Sequence, residues 1–478
     1  MSSSATASRF DRLNAMPSPF AFLDRPTQAP IVVDAGAGRV WTQDGLAAAV
    51  DALADRLRTD RRELIFNLCS GGDLASVMGY LGAVRAGHAV AQLDGRLPAA
   101  LTEALIARYR PAFILHSTDG RTVTVRTGEP GGPPVADDLL VLLSTSGTTG
   151  SPKLARLSVG NIQSHTNQLT EYLEIDARER AILSLPIHFS YGLSVLNTHL
   201  GAGAAVILSP HSIMRPDFWA DAARWGATSF AGVPYSYAIL ERAGLLRTAM
   251  PDTLRTLTQS GGRLAPEMIV KLHALMAARG GRLFVMYGQT ESTARMSYVP
   301  PSALPAKAHC VGIPIPDGRF TIGTPDGETA EPEVEGEVIF RGPNVMLGYA
   351  EHREDLARGD DLGGVLHTGD VGIIDADGYL RLTGRTKRIA KVFGLRISLD
   401  EVEAAAGAHG LVAAVDGGDR IVLWRLSGAL VAAADLAIEL ARRFNLKSSA
   451  FAVNDLDELP LNGRGKVDYA TLAKRDVD

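Results

Sequence analysis

Cysteine is nearly missing from this chain: Cys69 and Cys310 are its only two, far apart in the sequence. That excludes a cysteine-based zinc site and a disulfide framework, and it leads us to expect a reducing, cytoplasmic setting. Long apolar runs are missing as well. The longest, such as residues 139–143, fall far short of the roughly 20 residues that cross a bilayer, so no membrane span is expected. The opening residues, MSSSATASRFDRLNAM, surround no apolar centre and do not read as a secretory signal. Nor is positive charge in surplus. Lys and Arg number 48 against 53 Asp and Glu, a formal charge of −5, which gives no bulk attraction to nucleic acid or to an anionic membrane. Internal repeats and low-complexity tracts are absent.

What is present is ample apolar material, 46% of 478 residues, which is more than one ordinary core requires. From residue 42 to 116, helix-like segments (42–59, 73–86, 98–109) alternate with β-like runs (63–69, 89–93, 112–116), which predicts parallel strands with helical crossovers. A Gly-, Pro- and Thr-rich connection (120–138) precedes a buried strand at 137–144. The alternation resumes between about 155 and 310, and a second parallel sheet is placed there. Residues 317–383 change to short strands and turns, a small β-barrel or antiparallel sheet. Beyond them lies a short α+β unit with strands at 411–415 and 420–425 and a helix at 432–444. The expected fold class is therefore α/β multidomain. A large N-terminal domain (1–386) combines two parallel-rich α/β subdomains with a small β-barrel, and a small α+β domain (387–478) follows.

The strongest local signal is Ser144-Thr145-Ser146-Gly147-Thr148-Thr149-Gly150-Ser151-Pro152-Lys153, directly after a strand. Small residues let backbone N–H groups approach phosphate oxygens, hydroxyls add donors, and the lysine adds charge. A shorter match would be read as an ordinary Ser/Thr/Gly turn. It is not a Walker A loop, because Lys153 lies between Pro152 and Leu154.

This loop resembles the phosphate-binding signature of the adenylate-forming (ANL) superfamily, which includes acyl- and aryl-CoA synthetases, peptide-synthetase adenylation domains and luciferases. Further motifs follow in that family's order: Tyr287-Gly288-Gln289-Thr290-Glu291, His367-Thr368-Gly369-Asp370, Gly384-Arg385-Thr386-Lys387, Gly394-Leu395-Arg396-Ile397 and Asn462-Gly463-Arg464-Gly465-Lys466. The resemblance spans roughly residues 40 to 470, and it implies ATP and Mg²⁺ as cofactors. In the YGQTE motif Tyr287 offers an aromatic face for adenine, Thr290 a hydroxyl for phosphate and Glu291 a hard oxygen ligand for Mg²⁺. Asp370 is suited to the ribose hydroxyls and Arg385 to ribose or phosphate oxygens. Alone, each of these would be read as a turn or surface residue. Gly262, Gly288 and Gln289 complete the expected nucleotide site.

Lys466 resembles the catalytic lysine on the family's mobile loop. A carboxylate must approach the α-phosphate of ATP, and at about 4 Å one like-charge pair costs about 4 kcal/mol at an effective dielectric of 20. A cation enclosed in the site offsets that repulsion, so Lys466, with Thr290 and Glu291, forms the expected catalytic set. Lys387 stands where the family places its hinge, which implies a mobile C-terminal domain.

Pro186-Ile187-His188-Phe189-Ser190-Tyr191-Gly192-Leu193 resembles the element lining the acyl pocket. It lacks the aspartate by which relatives hold an amino acid's ammonium group. His188, Phe189 and Tyr191, with Gly261 of the Ser260-Gly261-Gly262 run, are the candidate pocket for a small acyl or aryl acid. Ordinary core packing explains the same aromatics. The expected acceptor is a thiol, of coenzyme A or of a phosphopantetheinyl carrier, and the few residues after Lys466 make a separate acyl or peptidyl carrier protein the expected form. Transfer to an amine and a non-catalytic nucleotide-binding homologue are the alternatives.

Overall fold

The computed structural model describes residues 20–24, 27–128, 130–144, 153–385, 388–392, 395–418, 420–428, 431–444, 446–462 and 466–475. Two large sheets carry the N-terminal part. The first has seven strands in the order Gly348–Ala350, Leu154–Ser158, Leu139–Ser144, Ala89–Asp94, Leu64–Cys69, Phe113–His116, Thr124–Thr127. Its four inner strands from Leu139–Ser144 to Phe113–His116 run parallel, and antiparallel strands finish both edges. These inner strands are buried on both faces, as their largely apolar content requires.

The second sheet has nine strands, and Arg180–Leu183, Ala205–Leu208, Ser229–Gly232, Thr256–Gln259 and Arg282–Tyr287 form its parallel centre. The early strand Pro30–Asp34 crosses over to join it, parallel to Ala205–Leu208. Leu154–Ser158, expected in this second sheet, pairs antiparallel with Leu139–Ser144 in the first.

Helices Leu74–Arg85 and Ser190–Gly201 lie between the sheets and are buried over most of their length. One continuous apolar cluster therefore joins Val32 of the second sheet to Ile65 and Val90 of the first. Side-chain caps fix the helix starts: Asp73 accepts from the Ser76 N–H, and Ser158 and Asn161 form a reciprocal capping box.

Residues 319–385 form a five-stranded antiparallel sheet, ordered Gly327–Thr329, Arg319–Thr324, Glu335–Arg341, Val365–Ile374, Leu380–Arg385. Beyond it comes the hairpin Ile389–Val392 and Leu395–Ser398, then the sheet Val412–Asp416, Ile421–Leu426 and Phe451–Leu456 with helices Leu399–Ala406 and Ala433–Arg443. A separate apolar cluster, including Val402, Leu423, Leu440 and Phe451, draws only on residues from Ala390 onward. Among the described residues no helix is long and apolar enough to cross a membrane.

Candidate active site

The strand Arg282–Tyr287 ends the parallel run of the second sheet, and the YGQTE turn leaves its C-terminal end. Crevices at that end of parallel strands are where α/β sheets bind ligands. The turn is tight: Thr293 (φ 59°) and Ala294 (φ 138°) adopt left-handed backbone, and Met296 N–H returns to Tyr287 O at 2.8 Å. Gly288 is required by that closure. A Cβ there would stand 2.1 Å from Ala294 O and 2.5 Å from the Arg295 Cα.

Three residues of the turn reach three different places. Gln289 Nε2 donates to Asp370 Oδ2 and to Thr368 O, both at 2.8 Å. Thr290 Oγ1 lies 3.4 Å from Ser190 Oγ, at the start of helix Ser190–Gly201. Glu291 Oε1 accepts from Tyr349 Oη at 2.8 Å, and its backbone carbonyl accepts from Met346 N–H at 2.9 Å.

Asp370 is enclosed by donors. Tyr287 Oη and Gln289 Nε2 bond its Oδ2, and Arg385 Nε stands 2.6 Å from its Oδ1. The strand register explains the last contact, since Asp370 and Arg385 are Cα partners in the antiparallel sheet. Burial holds the Tyr287 phenol well above its usual range, and the carboxylate of Asp370 adds to that. Burial is the largest influence on Arg385 and opposes its charge, but Asp370, Asp400 and Tyr287 together outweigh it and raise the guanidinium's pKa.

Lys153 meets a partner that sequence reasoning missed. Its Nζ lies 2.8 Å from Glu351 Oε1 and 5.9 Å from the centre of the Tyr349 ring. The register again supplies the reason: Ala350 pairs with Leu154, so the next residue on one strand faces the previous one on the other. Hydrogen bonding and charge from Lys153 hold the Glu351 carboxyl below its usual value. Tyr349 thus links Lys153 to Glu291. Nothing around Glu351 distinguishes it from a surface glutamate in the sequence, because the pairing joins distant segments.

On the pocket side, His188 is buried, with Nε2 3.7 Å from Asp94 Oδ2 and its ring edge-on to half-buried Phe189 at 4.1 Å. Tyr191 is also buried, and its Oη bonds Thr258 O at 2.9 Å and Thr258 Oγ1 at 2.8 Å. Gly261 (φ +88°) follows the strand Thr256–Gln259, and Lys466 Cε lies 3.9 Å from the point where a Cβ on Gly261 would stand. Gly262 O accepts from Gln259 Nε2 at 2.9 Å. Arg295, also missed, lies fully buried over the Tyr191 ring. Its only sequence signal is an arginine standing four residues after Glu291 in a run of small residues.

Ser144 ends its strand opposite Leu154, so the two strands present the two ends of the phosphate-loop segment. Thr145, Ser146, Gly147, Thr148, Thr149 and Gly150 lie outside the described residues, as does Lys387.

The family model described as AMP-binding enzyme matches residues 21–350. Oxalate--CoA ligase of Arabidopsis thaliana is 35% identical over 278 residues, which cover 57% of this chain and 53% of that protein. The match thus spans about half the length of that relative. L-proline--[L-prolyl-carrier protein] ligase of Pseudomonas fluorescens is 33% identical over 360 residues, 71% of this chain and 69% of that protein. Among solved structures, ATP-bound MatB from Rhodopseudomonas palustris superposes with a TM-score of 0.79 at 24% identity, covering 96% of this chain and 98% of that one.

Proposed function

The chain belongs to the AMP-binding enzyme family, and on that footing we propose that it uses ATP to convert a carboxylic acid to its acyl-AMP and then passes the acyl group to a thiol. A carboxylate oxygen of the acid attacks the α-phosphorus, and the bond to pyrophosphate breaks. The thiol then attacks the acyl carbon, losing its proton, and AMP leaves. The observation that carries this reading is the YGQTE turn, whose Gln289, Thr290 and Glu291 reach the Asp370 cluster, the Ser190 helix and the Tyr349–Lys153 pair. One short segment therefore borders a ribose-type acceptor, a candidate acyl pocket and a cation beside the phosphate loop.

In this reading Asp370 receives the ribose hydroxyls, with its carboxylate held in place by Tyr287, Gln289 and Arg385. The segment from Ser144 to Lys153 cradles the phosphates. Lys466, placed over Gly261, offsets the repulsion between the incoming carboxylate and the α-phosphate. His188, Phe189 and Tyr191 line the acyl side.

The donor set suits Mg²⁺: Glu291 is a single half-buried carboxylate, and Mg²⁺ binds through one or two carboxylates plus nucleotide phosphates while keeping its waters. When bound there it supplies charge neutralisation for the departing pyrophosphate. Glu291 would hold it, and the Tyr349 hydroxyl orients the carboxylate.

The boundary between the two domains falls at residues 386 and 387, with Lys387 as hinge and 387–478 as a lid whose rotation exchanges Lys466 for the Gly394 loop. The separate core from Ala390 onward supports that division. The acceptor is coenzyme A or the phosphopantetheine of a separate carrier protein, and two buried free thiols fit a cytoplasmic protein. The test is AMP release from an acid panel, with and without coenzyme A. Acid-dependent AMP release stimulated by a thiol supports the reading, and release that never depends on the acid contradicts it.

A further inference from the structure

Among the described residues three arginines are fully enclosed: Arg156, Arg295 and Arg353. Two of them face a carboxylate, Arg156 that of Asp361 and Arg353 that of Glu63 at 2.6 Å. Arg295 faces none among the described residues. Its Nη1 donates to Ala294 O at 3.0 Å, while its Nε and Nη2 are buried without a hydrogen-bond partner. The guanidinium carbon stands 3.8 Å from the centre of the Tyr191 ring, a contact that steadies the cation without neutralising it. The effect reaches its neighbours: burial first, and the Arg295 charge second, hold His165 well below its usual pKa.

A buried cation with two idle donors is expensive to keep unless something completes it. What lies beside it is a cavity. Arg295 lines a space of about 30 Å³ with Tyr191, Thr258, Met286 and Ala231, room for about two water-sized groups. The other polar side chains around it are mostly engaged: Ser194 donates to Tyr191 O, Thr198 to Ser194 O, and His199 Nδ1 bonds Val195 O. Glu179 also borders the cavity, but it is half-buried and takes the Thr228 hydroxyl. The segment 145–152, outside the described residues, contains no acidic residue to supply the counter-charge.

We propose that Arg295 is a specificity-determining residue, the anchor for a second anionic group on the acid substrate, at the end remote from the carboxylate that is activated. The inference rests on the adenylation reading above, since that reading puts the reacting carboxylate beside Lys466 and Gly261. From Gly261 back to Thr258, which lines the cavity, is three residues, at most roughly 10 Å of chain. A substrate spanning that interval is a short dicarboxylic acid, aliphatic or aryl. The planar fork of Nε and Nη2 matches a carboxylate in bidentate geometry.

The test compares ATP–pyrophosphate exchange by the full chain with α,ω-dicarboxylic acids of about three to eight carbons, benzene dicarboxylic acids, and monoacids matched in length. It uses the wild type, Arg295→Met and Arg295→Lys. The expected result is a wild-type kcat/KM about 10²-fold higher for the best diacid than for its matched monoacid. Arg295→Met abolishes that preference while sparing monoacids, and Arg295→Lys restores part of it. Thermal unfolding supplies a second readout. Without substrate Arg295→Met is at least as stable as the wild type, because it removes an uncompensated charge, and diacids raise the Tm of the wild type alone.

Equal use of mono- and diacids by the wild type overturns the proposal. So does an Arg295→Met variant that loses all acids in equal proportion, or a wild-type Tm raised as much by chloride or phosphate as by any diacid. If no acid drives exchange but diacids still raise the wild-type Tm, the adenylation reading fails and the anion site stands. If diacids do neither, the anchor fails.

Discussion

The hydroxyl of Tyr287 donates to the carboxylate of Asp370, joining the end of a parallel strand in one sheet to the middle of an antiparallel strand in another. With Gln289 and Arg385 it fixes a carboxylate that is 2% exposed. Tyr287→Phe removes one of those donors. The expected cost is about 1 kcal/mol of stability and a several-fold rise in the KM for ATP, with kcat little changed. A KM that stays put, measured by steady-state kinetics, would mean that the bond serves packing alone.

Gly288→Ala tests the turn itself. The added methyl collides with backbone at Ala294 and Arg295, and no side chain can yield to relieve it. A loss of about 3 kcal/mol in urea unfolding is expected, with adenylation lost alongside. Wild-type stability in this variant would show that the turn opens more freely than its φ values imply.

Much of the fold is legible in the sequence, and the exceptions have physical causes. The helices Leu74–Arg85 and Ala99–Tyr109 and the strands Leu64–Cys69 and Ala89–Asp94 fall within a residue or two of their expected limits, because apolar periodicity and turn residues mark them locally. Thr124–Thr127 escapes notice because it is a largely exposed edge strand of polar residues. Gly348–Ala350 is too short to leave a pattern. Which sheet Leu154–Ser158 joins is decided by partners distant in sequence. The candidate site divides in the same way. The motif residues announce themselves by local chemistry, whereas Glu351, Asp94 and Arg295 matter only through contacts the chain makes on folding. Arginine in particular reads as a surface residue until burial is seen.

Magnesium dependence probes the link between Glu291 and Tyr349. Removing Mg²⁺ with EDTA is expected to abolish exchange. Glu291→Gln should raise the Mg²⁺ concentration for half-maximal rate about tenfold, and Tyr349→Phe should raise it less. An unaltered Mg²⁺ requirement in Glu291→Gln argues against that carboxylate as a ligand.

Acidification should weaken the fold through a buried histidine. Burial lowers His199 from 6.5 to about 4, against the partial help of its bond to Val195 O. Between those values the unfolded chain binds the extra proton, so stability falls as pH drops through the window from about 6.5 to 4. From pH 7 to pH 5 this one residue accounts for about 2 kcal/mol. His199→Asn should flatten the dependence of unfolding free energy on pH in that range, and an unchanged slope would show that the imidazole is not held neutral.

Acid-dependent ATP–pyrophosphate exchange, measured for the wild type and for Lys466→Ala, tests the adenylation mechanism most directly. The predicted result is exchange that requires a carboxylic acid and falls about 10²- to 10³-fold in Lys466→Ala, with ATP binding retained. Exchange that proceeds without any acid, or that survives the loss of Lys466, would contradict it.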